Sequence, residues 1–287
     1  MPSSLKSTAL SGEPASDGGP ASEGGGKGAA FFDLDKTLMA GSSGMVFARV
    51  ANRKGFVPRG QLAKWGWDHL RYRLRGSSDE QTNAVLDVAK RVFAEIPERD
   101  VERMAPEVLA GILPRIYPQM LDEVHHHQDD GRATFIVSAA GNDLVKALAA
   151  VLGMEGGIGT RWAIGADGKY TGEMDGPFVY GKGKVEAMRR FAERHEIDLG
   201  ESWAYSDSVS DLPMLRSVGH AVVVNPDADL LEIARQEGWQ VMRFERLGRK
   251  LAIAGATALA AAAGGAGALA SRRKTSGFRS ARGALRR

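Results

Sequence analysis

The sequence predicts an α/β fold, namely a doubly wound parallel sheet with an inserted α-helical cap domain. Short apolar runs recur along the chain, and such runs are typical of buried parallel strands. Helical patterns separate most of them, and strands that alternate with helices form parallel sheets. About 95 residues without a strand pattern separate the first two runs. An insertion there would cover the carboxyl edge of the sheet, where open α/β sheets bind ligands.

The local pattern predicts the structure of each segment. Strands are predicted at the short apolar runs 29–35, 133–140, 202–207, 220–226 and 239–244. Helices are predicted where apolar residues recur with a helical period, at 141–153, 183–197, 210–219 and 227–238. Residues 161–176 alternate between apolar and polar and contain an Asp-Gly pair, which predicts a β-hairpin.

Composition divides the chain into a leader, a core, a cap and a tail. Residues 1–28 are rich in Gly, Ser and Pro, which predicts a disordered leader. They lack the apolar centre of a secretory signal. The remaining predicted parts are a core over 29–42 and 131–245, a helical cap over 43–130 and a basic tail over 246–287.

The charge of the chain is uneven. Residues 246–287 hold ten basic residues and no acid, so the net charge of +3 leaves −7 for residues 1–245. An acidic body disfavours nucleic acid as a partner. Residues 251–270 are uncharged, rich in Ala and Gly, and flanked by basic residues. Two interpretations of the tail stay open: contact with an anionic membrane surface, or an unstructured Ala-rich segment.

Composition also excludes several classes of protein. The chain has no Cys, which excludes disulfides, zinc–thiolate sites, iron–sulfur clusters and thiol catalysis. Hydrophobic residues make up 43% and charged residues 25%, close to the globular average. A wholly disordered or fibrous chain is therefore excluded. We expect a cytoplasmic enzyme, with the tail as its candidate membrane contact.

Two acids lie two residues apart at the end of the first predicted strand. They are Asp33 and Asp35 of FFDLDKTL (31–38), and the period of a strand places them on one side of the chain. Two carboxylates in a partly buried place repel each other, and a cation removes that penalty. Oxygen ligands without Cys or His nearby indicate Mg²⁺. The alternative is a turn in which both acids are solvated.

Three further segments carry polar residues at the ends of strands or the starts of helices. In AYSDSVSDLPML (204–215), Asp207 ends a strand and Asp211 follows four residues later; helix capping is the alternative for these acids. Ser138 of FIVSAA (135–140) precedes a helix, where free N–H groups suit a phosphate, although a simple serine cap is the alternative. Lys184 of YGKGKVEAM (180–188) enters a helix, as many solvated lysines do.

In this order, the four segments resemble the motifs of the haloacid dehalogenase-like hydrolase superfamily. The chain is most similar to its phosphoserine-phosphatase-like subfamily, which has a Rossmann-like core and a helical cap inserted after the first motif. The resemblance covers residues 29–245, and GKYTGEMDGPFVYGKGKVEAM (168–188) is typical of the subfamily. Dehalogenases of the superfamily lack an acid at the position of Asp35, so the resemblance implies a phosphatase or phosphomutase.

The resemblance also implies roles for the acids. Asp33 would be the nucleophile that forms an aspartyl-phosphate. Asp35 would protonate the leaving alcohol and then activate water. Mg²⁺ would be bound by the carboxylate of Asp33, the backbone carbonyl of Asp35, and Asp207. Asp211 would support the metal from outside or orient Lys184.

The remaining implied roles concern the substrate. Ser138 and the N–H of Ala139 would hold the phosphoryl oxygens, and Lys184 would neutralise their charge. Ser210 stands where the final motif usually has Asn, which alters one phosphate contact. Ser42 stands where phosphoserine phosphatases have a cap glutamate that grips the substrate amine, which disfavours phosphoserine.

The cap supplies the other substrate candidates. Besides Ser42, these are Trp67 and Arg71 of KWGWDHLRYRLR (64–75), with a half-buried amphipathic helix as the alternative interpretation. The triplet His125–His127 is expected to lie at a surface helix end. A metal site is the alternative, and it is disfavoured because three consecutive helical residues point in different directions.

We therefore expect an Mg²⁺-dependent phosphatase that hydrolyses a small phosphorylated metabolite through an aspartyl-phosphate. A phosphotransferase or phosphomutase of the same superfamily is the first alternative. A membrane-associated interaction protein without catalysis is the second.

Overall fold

Six parallel strands form one sheet in the described part of the chain. The structure is a computed structural model that describes residues 27–58, 86, 87, 90, 93, 94 and 96–244. The strand order is β3-β2-β1-β6-β7-β8, and every neighbouring pair is parallel. These strands are β1 Ala29–Asp33, β2 Ala133–Gly141, β3 Gly156–Thr160, β6 Trp203–Ser206, β7 His220–Val224 and β8 Gln240–Met242.

Helices lie between the strands, as the alternating pattern predicts. They are α1 Ser43–Arg53, α2 Glu98–Ile112, α3 Pro118–Asp129, α4 Asn142–Val151, α5 Lys182–Arg194, α6 Leu212–Leu215 and α7 Ala228–Gln236. Phe31 and Phe32 are both fully buried, in two different apolar clusters. Successive side chains of a strand point to opposite faces, so β1 is covered on both faces. The doubly wound α/β prediction is therefore confirmed.

The structure differs from the sequence prediction at two elements. Strand β3 was not predicted, because GGIGT contains three glycines and little β propensity. A Cβ at Gly157 would lie 2.5 Å from Val145 Cγ1, so the glycine lets α4 pack closely on the strand. The helix predicted over 210–219 is a 3₁₀ turn at Val209–Asp211 followed by the short α6, since the chain turns back to begin β7 at His220.

The predicted hairpin is present. Strand β4 (Trp162–Ile164) pairs antiparallel with β5 (Tyr170–Met174). The hairpin also contacts the insertion between β1 and β2. The Glu98 N–H donates to the Gly168 carbonyl at 3.0 Å, and the Tyr170 N–H donates to the Ile96 carbonyl at 3.0 Å.

The segment that enters the insertion and the segment that returns from it lie side by side. The Ala40 N–H donates to the Arg115 carbonyl at 2.8 Å, and the Tyr117 N–H donates to the Leu38 carbonyl at 2.9 Å. Helix α3, the last helix of the predicted cap, packs against β1 and β2. The division into core and cap stays a prediction.

Several predictions fall outside the described residues. They concern the leader up to residue 26, the cap residues Trp67 and Arg71, and the tail from residue 245. None of the helices in the described ranges has both the length and the apolar character needed to cross a bilayer.

The histidine triplet does not lie wholly on a helix surface. His127 is buried, with 1% of its surface exposed. Its Nδ1 accepts a hydrogen bond from Arg132 Nε at 2.8 Å. The neutral ring therefore has its proton on Nε2, which donates to the Tyr205 hydroxyl at 2.8 Å. The Tyr205 hydroxyl in turn donates to Glu123 at 3.1 Å. The surface prediction is therefore wrong for His127.

This network makes the fold sensitive to acid. Burial, with a contribution from the charge of Arg132, lowers the pKa of His127 from 6.5 to about 4. The unfolded chain therefore binds a proton at a higher pH than the folded protein does. The stability from neutral His127 is complete above pH 6.5 and is lost as the pH falls towards 4.

We predict that His127→Gln reduces the loss of stability on acidification. Between pH 7 and pH 5 the wild type should lose about 2 kcal/mol of unfolding free energy through this group. Urea unfolding at both pH values measures the loss, and His126→Gln, at an exposed neighbouring site, is the matched control. A pH dependence of His127→Gln equal to that of the wild type would contradict the assignment.

Candidate active site

Three neighbouring strands bring the motif residues to one edge of the sheet. Asp33, the last residue of β1, is in register with Val137 of β2. Phe32, one residue earlier, is in register with Tyr205 of β6. Parallel strands end at the same edge of a sheet. Ser138 and Asp207, one or two residues further along their chains, therefore lie on either side of Asp33.

A buried lysine connects two of the acids. Lys184, at the start of α5, is 3% exposed. Its Nζ donates to Asp33 at 2.5 Å and to Asp211 at 2.7 Å. Asp211 also accepts from the buried hydroxyl of Ser206 at 2.7 Å. Three separate parts of the chain thus meet at one ammonium group.

Burial and mutual repulsion control the ionisation of this group of residues. Burial raises the pKa of Asp33 to about 7; Lys184 opposes the shift, and the charges of Asp211 and Asp207 add to it. Burial alone would lower the pKa of Lys184, but Asp211 and Asp33 outweigh it and raise the value. Lys184 therefore remains a cation at neutral pH.

Asp207 has a different cationic partner. Its carboxylate lies 3.6 Å from the Nζ of Lys36. Burial raises the pKa of Asp207 to about 6, the Lys36 charge opposes this shift, and the Asp211 charge adds to it. Even with both lysines in place, the site holds more negative charge than the protein neutralises.

Asp35 lies at the start of the insertion. Its Oδ1 accepts a 2.8 Å hydrogen bond from the backbone N–H of Ser43, the first residue of α1. This N–H has no partner within the helix, and an anion is favourable at that end of the helix dipole. The cap-side helix therefore holds the second carboxylate of the FFDLDKTL segment.

Ser138 lies three residues before the end of β2, where the pairing with β3 is irregular between Val137 and Gly141. Its hydroxyl is buried and accepts from the Ala140 N–H at 3.2 Å. Ala139 and Ala140 are half-buried, and Gly141 precedes α4 and supplies no side-chain cap. A hydroxyl beside N–H groups at a helix start can hold the oxygens of a phosphate.

The remaining predicted residues have mixed outcomes. Ser210 is half-buried, and its hydroxyl lies 2.9 Å from that of Ser208. Ser42 caps α1, with its hydroxyl accepting from the Met45 N–H at 3.4 Å. Trp67 and Arg71 lie outside the described residues.

Sequence reasoning missed several residues of the site. Tyr180 belongs to the site: burial raises its pKa, Ser210 opposes this shift, and the charge of Asp211 adds to it. Tyr180 is the first residue of the YGKGKVEAM segment, so the motif that identified Lys184 could also have identified the tyrosine. No sequence pattern predicts the contact of Lys36 with Asp207 or of Ser43 with Asp35, because both contacts depend on the geometry of a turn.

The donor set suits a hard divalent cation. Within the described ranges, no three His, Asp or Glu side chains are grouped as ligands of one metal ion. Mg²⁺, however, takes only one or two carboxylates in many sites and fills its shell with water and substrate oxygens. Asp33 and Asp207 supply two carboxylates. Burial raises the pKa of both, neighbouring carboxylates add to the shift, and a bound cation would oppose it.

The chain is similar to a known protein family and to named relatives. Residues 30–216 match the family described as haloacid dehalogenase-like hydrolase. Phosphoserine phosphatase SerB1 of Mycobacterium tuberculosis is 37% identical over 258 residues, covering 86% of this chain and 81% of that protein. Histidinol-phosphatase of Neisseria meningitidis is 31% identical over 223 residues, covering 76% of this chain and 100% of that protein.

A solved structure shares the fold. The structure of a substrate-bound phosphoserine phosphatase matches with a TM-score of 0.56 and 19% identity, over 79% of this chain and 98% of that one.

We predict that Lys184→Met destabilises the protein. It would leave two buried carboxylates without their cation, and breaking a buried pair costs about 3 kcal/mol or more. Urea unfolding at pH 7 measures the loss. Lys182→Met, which removes an exposed lysine from the same helix, is the control and should change stability little. Equal stability of the two variants would contradict the structural role of the buried ammonium.

Proposed function

The chain belongs to the haloacid dehalogenase-like hydrolases, and on this premise we propose that it is an Mg²⁺-dependent phosphatase acting on a small phosphate monoester. The observation that carries the proposal is the contact of the Asp33 carboxylate with the buried Lys184 ammonium at 2.5 Å. A carboxylate can attack a phosphate dianion only where fixed cations offset the repulsion.

The proposed reaction has two steps. In the first, a carboxylate oxygen of Asp33 attacks phosphorus while the bond from phosphorus to the alcohol oxygen breaks, and Asp35 gives its proton to the leaving oxygen. In the second, Asp35 removes a proton from water, and the water oxygen attacks phosphorus. The bond from phosphorus to Asp33 breaks, releasing inorganic phosphate and restoring both acids.

The surrounding residues stabilise and position the phosphoryl group in this proposal. Lys184 would neutralise charge on its oxygens, with Asp211 and Ser206 fixing the lysine. The hydroxyl of Ser138 and the N–H of Ala139 would donate to the same oxygens. The Ser43 N–H would keep Asp35 on the side of the insertion, where the alcohol leaves.

The carboxylates of Asp33 and Asp207 and the backbone carbonyl of Asp35 would hold the metal ion. When bound, Mg²⁺ supplies positive charge that keeps these carboxylates ionised and offsets the charge of the phosphate. Without the metal ion, burial keeps the pKa of Asp33 raised, at about 7. A raised pKa leaves less of the ionised carboxylate, which is the form that attacks phosphorus.

The substrate is proposed as a class, a phosphate monoester of a small alcohol. Two relatives are named for different monoesters, phosphoserine phosphatase and histidinol-phosphatase, so the family accepts more than one leaving group. Phe93, which stacks between Phe47 and Trp162, lies close to Gly141. The aromatic ring of Phe93, a residue of the insertion, thus lies beside the end of β2, the strand that carries Ser138.

We predict that Asp33→Asn abolishes phosphate release. The assay uses Mg²⁺ and a panel of small monoesters that includes phosphoserine and histidinol phosphate. The wild type should release free phosphate, and the variant should release it at least about a thousandfold more slowly. Chelation of Mg²⁺ should stop the wild type, and its return should restore activity. Asp143→Asn, at an exposed acid of α4, is the control. Transfer of phosphate to an acceptor without release would indicate the phosphotransferase alternative.

We predict that Asp35→Asn is most harmful with poor leaving groups. With alkyl phosphates kcat/KM should fall about 100- to 10,000-fold, because a general acid is lost. With p-nitrophenyl phosphate the fall should be much smaller, since the nitrophenolate leaves without a proton. The ratio of the two kcat/KM values is the measurement. Equal losses on both substrates would contradict the acid role of Asp35.

A further inference from the structure

Lys36 is a cation at the acidic cluster that the proposed reaction does not use. The cluster consists of the carboxylates of Asp33, Asp35, Asp207 and Asp211. Among the described residues, Lys36 and Lys184 are the lysines paired with it. The two lysines differ in the way they are held.

Lys184 is fixed, whereas Lys36 is exchangeable. Lys184 is buried and contacts two carboxylates at 2.5 and 2.7 Å. The Lys36 side chain is 36% exposed and reaches Asp207 alone, at 3.6 Å. A partly exposed pair with a long, flexible side chain is weak, so another cation can replace it.

The backbone places Lys36 beside Asp207 at some cost. Lys36 has a φ of 62°, in the left-handed region that side chains other than glycine rarely adopt. The turn that follows Asp33 imposes it: the Leu38 and Met39 N–H groups both donate to the Leu34 carbonyl, at 3.1 and 3.0 Å. Glycine would suit this backbone better, which suggests that the lysine side chain has a use. Backbone strain of this kind concentrates at functional sites.

We propose that Lys36 is a built-in competitor of Mg²⁺ for Asp207. In the metal-free protein its ammonium group supplies part of the charge that the cation would bring, and the cation must displace it to bind. Lys36 therefore weakens metal binding. This inference rests on the proposed Mg²⁺ dependence.

The inference predicts tighter metal binding when the lysine is removed. Mg²⁺ titrated calorimetrically into the full-length protein should bind Lys36→Met about two- to fivefold more tightly than the wild type, because a partly exposed ion pair no longer has to be broken. Lys36→Gly removes the same charge and relaxes the backbone, so it should also bind more tightly. Lys146→Met, at an exposed lysine of α4, should bind as the wild type does.

Thermal unfolding supplies a second readout that does not depend on activity. Mg²⁺ stabilises the folded protein according to its affinity, so the rise in Tm with added Mg²⁺ should be larger for both Lys36 variants. The difference in affinity should shrink at high salt, which screens the charge of an exposed lysine.

The outcomes separate this inference from the proposed function. If the wild type binds Mg²⁺ and the Lys36 variants bind it equally well or less tightly, the competitor role is wrong and the proposed phosphatase stands. If the wild type does not bind Mg²⁺ at all, the proposed metal dependence is wrong, and the inference falls with it.

Discussion

The buried ammonium group of Lys184 is the interaction on which the arrangement of the site depends. Asp33 and Asp211 come from the ends of different elements, and their charges are stable in a buried place only beside a cation. The chain reaches this position through a close turn. A Cβ at Gly183 would lie 2.0 Å from the Phe178 carbonyl oxygen, so only glycine allows α5 to begin there. Glycine in the YGKGKVEAM segment is therefore a condition for placing the lysine.

The site also holds more carboxylates than Lys184 can neutralise. Lys184 satisfies two carboxylates, but Asp207 and Asp35 add negative charge at the same edge of the sheet. The pKa of Asp207 stays raised, at about 6, although Lys36 is nearby. A site with this surplus is a poor binding place for an anion on its own. In the proposed function, a divalent cation makes it suitable for a phosphate.

The sequence predicted the fold best where a residue pattern had a single physical cause, such as burial on both faces of a strand. The runs that end at Asp33 and Asp207 are apolar because their strands are covered on both faces, and both strands are present. Strand β3 escaped detection because Gly157 and its neighbours are selected for close packing on α4, not for strand propensity. The contacts of Asp35 with Ser43 and of Lys36 with Asp207 could not be predicted. They depend on turn geometry, which a hydrophobic pattern does not record.

The histidine triplet contains a signal that the prediction did not use. Met120 and Val124 precede His127 by seven and three residues, and these three side chains form the buried face of α3, as the helical period places them. The apolar pattern therefore distinguishes His127 from His125 and His126. The bond of His127 with the hydroxyl of Tyr205 is a tertiary contact that no local pattern records.

The backbone bonds between the β4–β5 hairpin and the insertion couple two parts of the fold that are far apart in sequence. Glu98 and Tyr170 link the two segments at Gly168 and Ile96. A motion that lifted the insertion would have to break both bonds or carry the hairpin with it. The hairpin begins two residues after the end of β3, which is an edge strand, so such a motion would also pull on the edge of the sheet.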